Sequence, residues 1–424
     1  MPGFDMVRRA GQRLAHLGPL PLAPAWRGSV LAEPDFLRLW VVGLVVFAVR
    51  WLEMLAVAVF AYQRTGSPFV VALLTMLRVL PMALFGAVIG AAAERVERRI
   101  ALVFVLVSML LTSLSLAILA WAGALAVWHL AVASFVNGVG WTTDNPVRRT
   151  LIGEVVGAER MSAAMSIDVG ANNASRMLGP TLGGVLLAGV GIGGAFTMSV
   201  LCYLAAIAAA VQIRHRRSGG PTIADGILVR MIAGLRVVRH DRRLGAILVI
   251  TVIYNVFGWP FTSMVPVIGH DRLGLGPAGI GLLSSMDGVG AFCGAIAIAI
   301  GARPAFFSRL YLGGVFGYLA LVPLFTLTPY PLFAGSVLLA TGLANAGFSI
   351  MQATLVYLAA PVEMRSRVYG VLSVCIGTGM LGFIHIGVLA DMIGASSAAA
   401  ATGIEGLIAL LLTRRWWWPL VRPA

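Results

Sequence analysis

At 424 residues, 59% hydrophobic and 11% charged, the chain is too apolar for a water-soluble domain, which carries about 25% charged residues. Its formal charge of +14 comes from arginines that fall between apolar runs. They form no basic face and no aromatic-interleaved basic segment, which argues against nucleic acid as a partner.

Residues 1–35 are rich in Arg and Pro and lack an apolar core ending in a small-residue cleavage site. They do not read as a signal peptide, and Arg8, Arg9, Arg13 and Arg27 predict a cytoplasmic N-terminal segment. About twelve apolar runs of roughly 17–28 residues follow, where a helix needs about 20 to cross a bilayer. The first six, Phe36–Tyr62, Phe69–Ala93, Ile100–Ala122, Val127–Thr143, Ala163–Val190 and Ala195–Ile213, predict a six-helix bundle over 36–213. Residues 214–243 form an arginine-rich divider. Within it Ile227, Met231, Leu235 and Val238 share one helical face of Ile223–His240, which reads either as a basic amphipathic helix on the inner leaflet or as a plain linker. The second six, Leu244–Ile268, Ala278–Ala302, Leu310–Leu327, Leu332–Leu358, Val368–Leu389 and Ala395–Leu412, predict a second bundle over 244–413. The tail, 414–424, opens with Arg414, Arg415 and three tryptophans suited to the headgroup region. Alternate loops carry only Arg64 and Arg272, against about 26 arginines in the others, so both termini are expected in the cytoplasm. Cys202, Cys293 and Cys375 lie singly in apolar runs, which speaks against disulfides and zinc.

Several short phrases carry a family resemblance. Gly86 and Gly90 precede Glu94, Arg95, Arg98 and Arg99, while the first loop reads Tyr62-Gln-Arg-Thr-Gly-Ser-Pro68 and the second helix has Arg78-Val-Leu-Pro81. The fourth helix ends Asn145-Pro-Val-Arg148, and the eleventh opens Pro361-Val-Glu-Met-Arg365. The fifth carries Gly179, Pro180, Gly183 and Gly184, and Gly86–Ala91 is echoed by Gly290–Ala295 in the second half. From Phe36 to Leu412 the chain resembles the major facilitator superfamily, in the branch of bacterial siderophore and drug exporters. The resemblance implies an all-α polytopic fold of twelve transmembrane helices in two pseudo-symmetric six-helix bundles. It also implies that Gly86, Gly90, Glu94, Arg95, Arg98 and Arg99, with Arg148 and Arg365 on facing loops, form a conformational latch. The helix-five phrase is similar to the motif of drug/proton antiporters; the plainer reading is a tight helix crossing, since Pro180 bends the helix and the glycines admit a neighbour. Two departures stand out. Ser134-Phe-Val-Asn137-Gly138 lacks the arginine that proton-coupled relatives carry, and in helix one Val49-Arg50-Trp51, followed by Glu53, stands where this branch commonly has Gly-Asp-Trp.

Ionisable groups deep in a membrane are expensive and are functional candidates by default. Arg50, Glu53, Arg78, Arg176 and Asp287 fall near mid-depth, as do Asn172, Asn173, Asn255 and Asn345. Arg50 and Glu53, three apart, are either an ion pair that neutralises itself or a proton carrier held by its arginine. Arg78 and Arg176 are expected to tie helices two and five together. Asp287 is a second proton candidate or a counter-ion for an arginine of the first half. Three arginines against one acid in that half favour an anionic or polyhydroxylated amphiphile.

No His-Glu-x-x-His, Gly-x-x-x-x-Gly-Lys or Gly-x-Ser-x-Gly occurs, so neither an enzyme nor a nucleotide-driven pump is expected, and no cofactor or metal. The expected function is secondary active transport: proton-coupled, rocker-switch export of a small amphipathic siderophore- or drug-like compound. The expected setting is the bacterial inner membrane, with a small-molecule substrate, protons and membrane lipids as partners to a monomer. Lipid or lysophospholipid transport on the same fold, and a non-transporting sensor or scaffold, are the alternatives.

Overall fold

The computed structural model describes residues 30–93, 97–157, 159–214, 227–361 and 364–420, without the side chains at 85–93, 162, 227–233, 366 and 419. Among the described residues every regular element is helical. The first helices are α1, Pro34–Thr65; α2, Pro68–Ala93; α3, Arg98–Trp121; and α4, Val127–Val156. The helical run Met161–Val211 breaks at Gly191, whose φ of 73° suits glycine, and so gives α5 (161–190) and α6 (192–211). A linker helix, α7, spans Ile227–His240. Next, α8 begins as Arg242–Ile253, passes through a π turn at Tyr254–Gly258 and a 3-10 turn at Trp259–Ser263, and ends as Val265–Asp271. Then come α9, Pro277–Gly301; α10, Phe307–Leu327; and α11, Pro331–Ala359. The last two are α12, made of Arg365–Gly377 and Gly379–Ile393, and α13, Ala395–Leu412. Prolines in the first turn open α1, α9 and α11, where their missing N–H groups would have had no helical acceptor.

Nine described helices are long and apolar enough to cross a membrane. The break at Gly191 splits one of these, and α2 and α4 account for the rest of the difference from twelve. The α4 helix corrects a sequence expectation: instead of stopping at Thr143 it continues past Pro146 to Val156. Asp144 and Arg148 in that extension are fully buried because Arg148 pairs both with Asp144 and with Asp168 of α5.

Buried side chains separate two bodies. In the first, Phe36, Leu39, Val46, Leu102, Leu106 and Tyr203 gather α1, α3 and α6 into one cluster. In the second, a larger core runs from Leu244 to Leu410 through Tyr254, Tyr311, Tyr318 and Phe348, and reaches Ala58, Val71 and Ala72 of the first half.

The halves meet along two seams. At α5/α9 a Cβ on Gly184 would stand 2.4 Å from the Pro277 carbonyl oxygen, and one on Gly281 would stand 2.5 Å from that of Pro180. At α2/α12 a Cβ on Gly387 would stand 2.9 Å from Cβ of Ala72. Beyond them, at the end away from the termini, the Tyr62 hydroxyl donates to the Asp271 carboxylate. Asp391 there accepts from Ser67 Oγ at 3.0 Å and from the Phe69 amide at 3.1 Å, capping α2.

The linker forms a helix that packs on α12. A Cβ on Gly234 would stand 2.6 Å from the Arg367 carbonyl oxygen, and Val238 is buried. Leu235 is 57% exposed.

Candidate functional site

On α1, Glu53 and Arg50 face α4 one turn apart, yet they do not pair with each other. Glu53, 1% exposed, accepts from Ser113 Oγ of α3 at 2.7 Å and from Asn137 Nδ2 of α4 at 3.1 Å. The expected Arg50–Glu53 ion pair is therefore absent; neutral donors from two other helices satisfy the carboxyl group. Arg78 of α2, also buried, is the arginine whose field reaches Glu53. It lines a small void with Ser134, so a charge missing from α4 is present on α2 instead. Gly138 permits this approach, since a Cβ there would stand 2.3 Å from the Arg78 carbonyl oxygen.

Arg50 turns the other way. Its guanidinium carbon lies 3.5 Å from the ring centre of Trp141 and 5.3 Å from that of Trp51. This geometry is a cation–π contact, which stabilises a cation without neutralising it. The Arg50 Nε and both indole Nε1 atoms are buried without a hydrogen-bond partner. Trp51 also has the Arg176 guanidinium 5.6 Å from its ring centre. The helix-five glycines make this arrangement possible. A Cβ on Gly179 would stand 2.6 Å from Cβ of Trp51, and one on Gly183 would stand 2.8 Å from the Leu52 carbonyl oxygen. With Gly184 against α9, the phrase packs α5 on both halves.

Arg176 was expected to tie α5 to α2. It crosses the boundary instead and pairs with Asp287 of α9. The Asn345 amide oxygen, oriented to receive it, lies 2.7 and 3.0 Å from the two guanidinium nitrogens. The Asn345 nitrogen then donates to the Tyr254 hydroxyl at 2.8 Å. Tyr254 occupies the π turn of α8 and stacks on Phe348 with ring centres 3.8 Å apart. One turn beyond the ion pair, Ser285 Oγ accepts from the Thr181 amide at 3.1 Å. Asn172 and Asn173 are half-buried, and Asn172 Oδ1 has no partner. Asn255 bonds to the Thr251 carbonyl oxygen of its own helix at 2.8 Å and stays outside the Arg176 cluster.

The expected latch divides. Glu94 and Arg95 lie outside the described residues, and the surroundings of Gly86 and Gly90 are likewise outside them. Arg98 pairs with Glu154 of α4, and Arg99 donates to the Val211 carbonyl at the end of α6. Arg148, placed in the latch from sequence, is instead locked inside the first half. It binds Asp168 directly and Asp144 at 3.4 Å, all three with no exposure, while Arg149 approaches Asp168 at 3.3 Å. Two carboxylates and two guanidiniums neutralise one another there. Arg365 stacks on Tyr357 of α11 at 3.7 Å and its Nε has no partner.

Sequence reading missed Ser113, Asn137, Trp141, Tyr254, Asp144 and Asp168. The last two had a signal: Asp144 and Arg148 are spaced for one helix face, as are Asp168, Asn172 and Arg176.

A bundle of apolar helices with ion pairs in its dry interior, and one pair spanning two halves, defines a polytopic membrane transporter rather than an enzyme. The chain belongs to the transmembrane secretion effector family of the major facilitator superfamily, whose family model matches residues 26–421. It is 26% identical to the multidrug efflux pump Tap of Mycolicibacterium fortuitum over 88% of this chain and 92% of that one. It is 21% identical to macrolide efflux protein A of Streptococcus pyogenes over 62% and 66%. In fold it is similar to an inward-facing bacterial homolog of the lysosomal transporter Spinster, with a TM-score of 0.70 at 14% identity, covering 94% of this chain and 98% of that one. The nucleoside transporter NupG gives the same TM-score of 0.70 at 10% identity, over 92% and 100%.

Proposed function

We propose that the protein is a proton-coupled exporter of small amphipathic compounds, drug- or siderophore-like, working by rocker-switch alternating access in the bacterial inner membrane. The observation that carries this reading is the Arg176–Asp287 ion pair, which joins the halves beside the glycine seam of α5 and α9. Any event that neutralises Asp287 removes the charge attraction across that seam and frees the halves to part. Asp287 is 15% exposed at its side chain, whereas Glu53 is sealed between Ser113 and Asn137, so we assign the travelling proton to Asp287. Kinship with Tap and macrolide efflux protein A supports export. The arginine distribution supports cytoplasmic termini, and on that reading the contacts Tyr62–Asp271 and Ser67–Asp391 close the outer side.

The test is dye or macrolide efflux with simultaneous proton movement in proteoliposomes, comparing wild type, Asp287→Asn and Glu53→Gln. Loss of proton movement in Asp287→Asn, with the folded protein recovered in normal yield, is the expected result. Undiminished coupled flux in that variant removes Asp287 from the mechanism.

A further inference from the structure

Arg50 is a charge without an answer. Its acidic neighbour Glu53 is taken by Ser113 and Asn137, and Asp287 is taken by Arg176. Among the described residues Arg50 makes neither an ion pair nor a hydrogen bond, and Arg78 and Arg176 are near enough to repel it. What it has is the face of Trp141 at 3.5 Å and the ring of Trp51 at 5.3 Å. The aromatic contact steadies a cation but leaves its N–H groups unused. The unused buried groups on these residues are donors, Arg50 Nε, Trp51 Nε1, Trp141 Nε1 and Arg176 Nε, while the unused acceptors Asn137 Oδ1, Asn172 Oδ1 and Asp287 Oδ1 belong to other side chains that do not bond to Arg50. Buried donors without acceptors are rare in folded proteins and call for an explanation.

We propose that this Arg50–Trp51–Trp141 cage is an anion-binding subsite, and that the exported compounds are recognised by a carboxylate, sulfonate or phosphate carried on a flat conjugated body. The anion supplies the acceptors that Arg50 and the indole N–H groups lack. The flat body continues a stack that already consists of a guanidinium on an indole, with Arg50 over Trp141, and Arg50 and Arg176 at 5.3 and 5.6 Å from the Trp51 ring centre. A cation of the same shape meets Arg50, whose charge no carboxylate pairs with among the described residues, and is repelled. Gly179 is part of the device, because any side chain there would push Trp51 out of its place beside the two arginines.

The inference rests on the reading that the space between the halves is the transport site, but its test is equilibrium binding and needs no flux. The purified full-length chain is titrated with 1-pyrenesulfonate and, separately, 1-pyrenemethylammonium, following energy transfer from tryptophan to pyrene. Wild type is expected to bind the sulfonate about tenfold or more tighter than the ammonium. Arg50→Gln is expected to erase that preference, Arg50→Lys to restore part of it, and Arg64→Gln, in the last turn of α1, to leave it unchanged. Equal or tighter binding of the ammonium by wild type overturns the proposal, as does full sulfonate binding by Arg50→Gln. If the glutamine variant does not fold, the wild-type comparison of the two dyes decides alone. Absence of proton-coupled flux with the anion preference intact would sink the transport mechanism and leave the subsite standing; coupled flux without that preference does the reverse.

Discussion

The two halves handle interior polarity in opposite ways. In the first, Asp144, Arg148 and Asp168 are dry and mutually neutralising, and Glu53 shares a second dry region with Arg78. In the second, the interior polar groups are mostly hydroxyls and amides. Tyr311 bonds to the Ile247 carbonyl oxygen at 2.8 Å, Gln352 donates to Thr251 at 2.9 Å, and Tyr254 meets Asn345. Ion pairs in a low-dielectric interior are costly to break and lock helices in one register. Hydroxyl networks can exchange partners at little cost. The irregular segments follow the same division, with the π turn at Tyr254–Gly258 and the interruption at Thr378 both in the second half. The interior of the first half is thus held by buried charges and that of the second by hydroxyls and amides, with Arg176–Asp287 between them.

The strongest way to break this contrast is Arg148→Ala. It strands Asp144 and Asp168 in a dry site, and about 3–5 kcal/mol of stability should be lost, read as a collapse of thermal stability in detergent. A variant as stable as wild type would mean that the first half does not depend on its charges. Next is Gly43→Ala, whose Cβ would stand 2.3 Å from Nη1 of Arg148. The guanidinium is pinned by two carboxylates and cannot easily yield, so a loss of about 1–3 kcal/mol is expected by the same melt. In the second half, Tyr254→Phe deletes one hydroxyl contact to Asn345, and the loss should be only about 1 kcal/mol. A loss as large as that of Arg148→Ala would erase the distinction between the halves. Least of all, Leu235→Gln on the exposed side of α7 should stay within about 0.5 kcal/mol of wild type.

The helix plan was legible because a membrane span is declared by a local property, the length of an apolar run. Where the reading failed, the missing information was tertiary. Ending α4 at Thr143 followed from the rule that charges leave the membrane, and Asp168, supplied by α5, suspends that rule. The Arg50–Glu53 pair was the natural inference from spacing along one helix. The neighbouring α4 offers Trp141 to one residue and Asn137 to the other, and separates them. Arg176 and Asp287 were both visible as buried charges, and the suggestion that Asp287 serves a first-half arginine matches the observed pair. The packing of α7 on α12 was not legible because it rests on the close approach of Gly234, a residue that leaves no mark in an apolar pattern.

The buried arginine of α4 also bears on how the chain is made. Arg148 emerges from the ribosome with Asp144 one turn ahead of it, while Asp168 follows 20 residues later. The two helices must therefore enter the lipid as a hairpin for the last carboxylate to reach its partner. A nascent chain arrested after α4 would hold two arginines, Arg148 and Arg149, against the single carboxylate of Asp144.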